Sequence, residues 1–129
     1  MDKNRVFISG NLTRDAEEKV FDNGNSAFDF AVAVNGRKQN GSGEWEDVPN
    51  YFDCVTYSKS EKGRNFLAHS LLKGARVDIE GKLKWESWTD RDGNKRSRTR
   101  IVVLNMEVVK PPKQKQQAPA DTYDDDLPF

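Results

Sequence analysis

The stretch 76–109 constrains the fold more than any other part of the chain, because it reads as two long strands joined by a turn at Asp90-Arg91-Asp92-Gly93-Asn94. Side chains on a strand alternate with a period of two. Val77, Ile79, Leu83 and Trp85 therefore fall on one face, and Lys82, Lys84, Glu86 and Trp88 on the other. The first face is core-like; the second sets cations beside an indole. On the return limb Arg96, Arg98 and Arg100 repeat that parity, and the apolar run 101–104 is expected to re-enter the core as a strand buried on both faces. The result is a long hairpin, apolar at its base and basic at its tip.

Upstream, residues 5–12 read as a first strand with Val6 and Ile8 facing one way and Phe7 the other, and Gly10-Asn11 marks a bulge or bend after which the strand continues crooked. A second limb, 17–21, leads into Asp22-Asn23-Gly24-Asn25, whose Asn-Gly pair is a strong hairpin signal. Over 28–34, Phe28, Phe30, Val32 and Val34 alternate with Asp29, Ala31 and Ala33, so a core face backs onto a shallow one. Residues 35–50, with three glycines, Pro49, Arg37, Lys38 and Trp45, read as a flexible loop or hairpin tip, long enough to be functional. In 51–57, Tyr51, Asp53, Val55 and Tyr57 share a face opposite Phe52, Cys54 and Thr56. Residues 60–73 give the one helical reading, with Ser60 as cap, Phe66, Leu67, Leu71 and Leu72 as the apolar positions and Gly74 as the stop. The order βββαββ suits a small closed or partly open barrel, since closure removes unpaired edges. That topology is a five-stranded OB-fold with extended hairpins; other small barrels and α+β sandwiches remain alternatives at this point.

A chain of 129 residues, 35% hydrophobic, supports one domain with a modest core and an appendage. We expect the domain at 1–110. Beyond it, 111–119 lacks periodicity and is too polar to order itself, and the chain closes on Asp124-Asp125-Asp126-Leu127-Pro128-Phe129, an acidic apolar tip shaped like a ligand for another protein's basic-rimmed pocket. With two Lys and four Asp in 111–129 and an overall charge of zero, the body is left at net +2. The lone Cys54 excludes an intramolecular disulfide and suits a reducing cytosol, and neither a membrane-spanning run nor an export signal is legible.

Single-stranded nucleic acid is held by cations that follow the phosphates and by rings on which bases stack, each stack worth about 1–3 kcal/mol. Tyr51, Tyr57, Trp88 and the loop residue Trp45 are the stacking candidates; Lys82, Lys84, Arg96, Arg98, Arg100, Arg37, Lys38, Lys59 and Lys73 are the phosphate candidates. Singly, each is as readily an ordinary boundary ring or a solvated charge. Together they are harder to dismiss, because Trp88 sits on the charged side of its strand. Trp85, on the apolar parity, belongs to the core or to an oligomer contact. His69 has no second histidine for a metal site or dyad, Cys54 reads as a buried thiol, and Asp90–Asn94 lacks the distal glutamate of a calcium loop and reads as a β-turn. With no phosphate-cradling glycine loop, nucleophile elbow or zinc-ligand pair, neither a catalytic function nor a cofactor is expected. A protein-binding OB module, a cold-shock type RNA chaperone and a nuclease are the rival functions.

The chain resembles the bacterial and phage single-stranded DNA-binding proteins of the tetramer-forming OB-fold type. The likeness rests on Asn4-Arg5-Val6 through Gly10-Asn11-Leu12 with Arg14-Asp15, on 28–34, on Phe52-Asp53-Cys54-Val55 with Tyr57, on Leu72-Lys73-Gly74, on 77–83 with Trp88-Thr89-Asp90 and Asp92-Gly93, and on the ending 124–129. It implies base stacking by Tyr51, Tyr57 and Trp88, and backbone contacts by Arg5, Lys19, Lys59, Lys73 and Lys84. The family's loop tryptophan is replaced near Lys38, leaving Trp45 as the candidate substitute. The resemblance further implies a homo-oligomer, a tetramer in the family. It implies a non-enzymatic role coating single-stranded DNA with little sequence preference in replication, recombination and repair. Partner proteins would be recruited through Asp124, Asp125, Asp126, Leu127, Pro128 and Phe129, in the cytoplasm at a bacterial nucleoid or in a phage-infected host.

Overall fold

The computed structural model describes residues 2–111, so the expected linker beyond Pro111 and the acidic tip lie outside the described residues. In chain order the elements are β1 (Val6–Leu12), β2 (Glu17–Val20), β3 (Ser26–Gln39), β4 (Trp45–Ser58), α1 (Glu61–Ser70), β5 (Arg76–Thr89) and β6 (Lys95–Lys110). The strands form one sheet in the order β1-β5-β6-β4-β3, which closes because β1 also pairs with β3. β2 does not widen the ring. It takes up the same edge of β3 farther along, opposite 26–29, where β1 holds Val32 and Ala33. The crooked first strand is thus two limbs laid end to end along β3, and the barrel is the expected five-stranded one with its helix between β4 and β5. The switch needs Gly10: a Cβ there would stand 2.2 Å from the Ala33 carbonyl oxygen, so only glycine lets β1 cross this close.

Inside the ring Phe28, Phe30, Val32, Cys54, Val77, Ile79 and Ile101 meet Leu12, Leu67, Leu71 and Ala75. The alternation predicted for β3 therefore has its physical basis in one face turned to this cluster. Ser60 caps α1 as expected, its Oγ accepting the Gly63 N–H at 3.0 Å. The helix is shorter than read, ending at Ser70 rather than 73. Its buried pair is Leu67 with Leu71, four residues on, which leaves Phe66 off that stripe and exposed.

Three hairpin turns share one design. The N–H of Phe21, Asn40 and Asp90 donates to the carbonyl four residues on, and each of their own carbonyls accepts the N–H of a glycine three residues on. Those glycines, Gly24, Gly43 and Gly93, have φ of 87°, 84° and 84°, the left-handed residue that a three-residue hairpin loop requires. Residues 35–50 are consequently a hairpin tip rather than a flexible loop, with β3 and β4 paired without a slip from Ser26↔Ser58 to Gln39↔Trp45.

Two expectations for the β5–β6 hairpin are corrected. Leu83 and Trp85 have the core parity but are exposed, which removes the core alternative for Trp85 and not the oligomer contact, because β1 accompanies β5 only as far as Gly81 and the hairpin then outruns the barrel that would cover its inner face. The run 101–104 is not buried on both faces: Ile101 is buried, whereas Leu104 is exposed. Gly81 pairs with Val103 and Glu80 with Asn105, so Leu104 is the extra residue of a bulge.

Candidate nucleic-acid interface

Register decides which side chains can act together. Pairs directly opposite across strands share a face. Ala27↔Tyr57, Asp29↔Val55, Ala31↔Asp53 and Ala33↔Tyr51 therefore put both tyrosines on the outer face of the β3–β4 pair, above a floor of small alanines. β4 lies parallel to β6 with Val55↔Val102, and Arg96, Arg98 and Arg100 carry the parity of Val102. Lys84↔Arg100, Glu86↔Arg98 and Trp88↔Arg96 then extend the same face onto β5. Lys19↔Ala27 extends it the other way onto β2. Tyr51, Tyr57 and Trp88 are all exposed on this face, none of them sealed in the barrel. Toward the tip of the β3–β4 hairpin, Gln39↔Trp45 and Arg37↔Asp47 continue the parity of Tyr51, so Trp45 and Arg37 join it and the Arg37 guanidinium lies 5.8 Å from the Trp45 ring centroid. Lys38, opposite Glu46, takes the reverse parity and is not brought to this face.

The candidate cations fall into two groups. Lys59, Lys73, Lys82 and Lys84 are exposed and make no ion pair among the described residues. The arginines are engaged. Arg96 Nε donates to Asp90 at 2.9 Å, Arg98 Nε to Glu86 at 3.1 Å, and Arg37 lies 3.8 Å from Asp47. Arg5, ahead of β1, donates to Glu80 at 3.1 Å, and Lys19 approaches Asp29 at 3.9 Å. Arg100 is the centre of the network: one terminal nitrogen donates to Asp29 on β3 at 2.7 Å and the other to Glu86 on β5 at 2.9 Å. With only 11% of its side chain exposed and its Nε buried without a partner, Arg100 braces the face from within. The Arg100 hydrogen bond, opposed by partial desolvation and reinforced by Arg98, holds the Glu86 carboxyl below the usual glutamate range. Arg98 also lies over the Trp88 ring, 5.5 Å from its centroid.

Glu86 and Asp29 are the participants that the sequence reading left without a role. Cross-strand pairing of Glu86 with Arg98 was available from parity, but the Arg100 contact with Asp29 spans 71 positions and needs β6, β4 and β3 side by side. The other singled-out residues behave as read. Asp90 accepts the N–H groups of Asp92 and Asn94 as a turn residue, His69 Nδ1 lies 2.8 Å from the Asn65 carbonyl on the helix, and burial pushes the Cys54 thiol up to about 12. Among the described residues no cluster of three metal-ligating side chains forms, and no helix is long and apolar enough to cross a membrane. A concavity over β1, β5 and β6 is lined by Phe7, Asp78, Glu80 and Glu107, and its acidic rim repels a polyanion.

The model of the single-strand binding protein family matches residues 3–109. The chain belongs to that family. It is 42% identical over 108 residues to a single-stranded DNA-binding protein of Borreliella burgdorferi, covering 83% of this chain and 70% of that one. It is 33% identical to one of Treponema pallidum, covering 84% and 58%. Among solved structures, the fold matches that of a Plasmodium falciparum single-strand binding protein in complex with single-stranded DNA at a TM-score of 0.70 and 18% identity, over 83% of this chain and 93% of that one. The family's proteins are non-enzymatic DNA-binding proteins, which places this chain outside the enzymes.

Proposed function

We propose that this chain binds single-stranded DNA along the face that runs from Trp45 and Tyr51 through Tyr57 to Trp88. One observation carries the reading: four exposed rings and a ladder of cations occupy a single register-defined face of a curved sheet. Bases stack on Tyr51, Tyr57 and Trp88, with Trp45 at the far hairpin; phosphates meet Lys82, Lys84, Lys59, Lys73, Lys19, Arg5, Arg37, Arg96 and Arg98. Stacking and phosphate contacts carry little sequence information, so the strand is coated whatever its composition. The setting is replication, recombination and repair in a bacterial or phage-infected cytoplasm. The exposed Trp85 and Leu83, on the reverse of the β5–β6 hairpin, suit a contact between copies of the chain in a homo-oligomer.

A titration of fluorescent oligo(dT) and matched duplex tests this. The single strand should bind far more tightly, and its affinity should fall with salt as phosphate contacts release counterions. Equal affinity for both, or affinity indifferent to salt, removes the reading. We assign partner recruitment to the tip 124–129, appended to a DNA-binding domain at 1–110. Deleting the last six residues should leave oligo(dT) binding in place and abolish capture of replication and repair proteins; capture that survives the deletion contradicts the assignment.

A further inference from the structure

The face proposed for DNA contains carboxylates, and they are not scattered. On each of the two long hairpins, β3–β4 and β5–β6, an arginine lies over an indole and is held by an acid directly across the strand pair: Arg98 over Trp88 with Glu86, and Arg37 over Trp45 with Asp47. The two differ in grip. Glu86, 20% exposed, accepts from Arg98 at 3.1 Å and from Arg100 at 2.9 Å, whereas Asp47 is 81% exposed and 3.8 Å from Arg37. Glu86 thus presents two oxygens to two guanidinium groups beside a stacking ring, which is the arrangement a backbone phosphate would take. With Asp29 on the other side of Arg100, the two arginines face two carboxylates, so the charges within this group balance, with Lys84 opposite Arg100 and Lys19 3.9 Å from Asp29 at its edges.

We infer that Glu86 is an internal stand-in for a DNA phosphate: it occupies Arg98 and Arg100 while no strand is bound, and must yield Arg98 to the incoming phosphodiester. This rests on the proposed function and deepens it by naming a residue that sets affinity from within the site. A strand entering the face exchanges one anion for another at Arg98, so part of the Coulomb gain is spent on displacing Glu86. The displaced carboxylate then takes up a cation from solution, and fewer ions are released overall. Arg98, freed from Glu86, also leaves the Trp88 ring to a base. Asp29 acts in the same sense on Arg100 and on Lys19, and does not touch Arg98.

The test compares wild type with Glu86→Gln on oligo(dT) and on a methylphosphonate oligo(dT), whose backbone carries no charge. Glutamine keeps the shape and removes the competing charge. The variant should bind oligo(dT) about three- to tenfold more tightly at low salt. Its dependence of log affinity on log salt should be steeper by up to about 0.7 for each additional ion released. The methylphosphonate strand should gain nothing. Unchanged or weaker binding of oligo(dT) overturns the inference, as does an equal gain on both strands, which would mean a general loosening of the site. Should Glu86→Gln not fold, Glu86→Ala decides: a gain on oligo(dT) without a gain on the methylphosphonate strand supports the inference and no gain on oligo(dT) overturns it. If wild type itself fails to bind oligo(dT), the proposed function falls first and the inference with it.

Discussion

Tyr57 and Trp88 have exposed rings that belong to strands facing outward, and neither is part of the core cluster. Changing either to alanine therefore removes a stacking surface without opening a cavity. Oligo(dT) affinity should fall by about 1–3 kcal/mol for each ring, roughly five- to 150-fold, with the melting temperature unchanged. Fluorescence titration beside a thermal melt checks both halves, and an unaltered affinity sinks the stacking role of that residue. Much of this was legible in the sequence, since the odd parity of Tyr51 and Tyr57 and the charged parity of Trp88 follow from counting alone. What counting could not supply was the state of the arginines. Arg98 and Arg100 read as phosphate ligands, but a partner of Arg100 comes from β3, beyond β4 in the sheet, and no local pattern announces it.

The β5–β6 hairpin shows the limits of parity at the scale of an element. Its alternation is correct throughout, yet parity tells only which residues share a face, not whether anything covers that face. Leu83 and Trp85 fail as core residues because β1 stops at Gly81 on that edge, and Leu104 because one bulge breaks the count. The hairpin also has an electrostatic signature. Glu86 is held below the usual range chiefly by Arg100, and Asp90, at the turn, chiefly by the Arg96 hydrogen bond. A carboxylate depressed in the folded state stabilises above its unfolded pKa, and that contribution disappears as the pH falls through the folded value. Stability should be level from about pH 8 to 5 and decline below about pH 4, with a shallower decline in Glu86→Gln. Melts at pH 7, 5, 4 and 3 test this; a variant that loses as much as wild type contradicts the assigned role of Glu86 in the acid response.

Across the whole molecule, the strand order of the sheet joins faces that are separate in sequence. Tyr51 and Tyr57 on β4 meet Trp88 on β5 only because β6 runs between them, parallel to one and antiparallel to the other. Strand alternation turns Trp85 to the reverse side. Trp85 and Trp88 are three residues apart, and Trp85 is the more exposed, 67% against 45%, so exposure alone would favour the wrong ring. Ultraviolet crosslinking of the full chain to 5-iodouracil-substituted oligo(dT), with adducts mapped by mass spectrometry, separates the two directly. The account predicts adducts on Trp88, Tyr57 and Tyr51 and none on Trp85; adducts on Trp85 with none on Trp88 would contradict it.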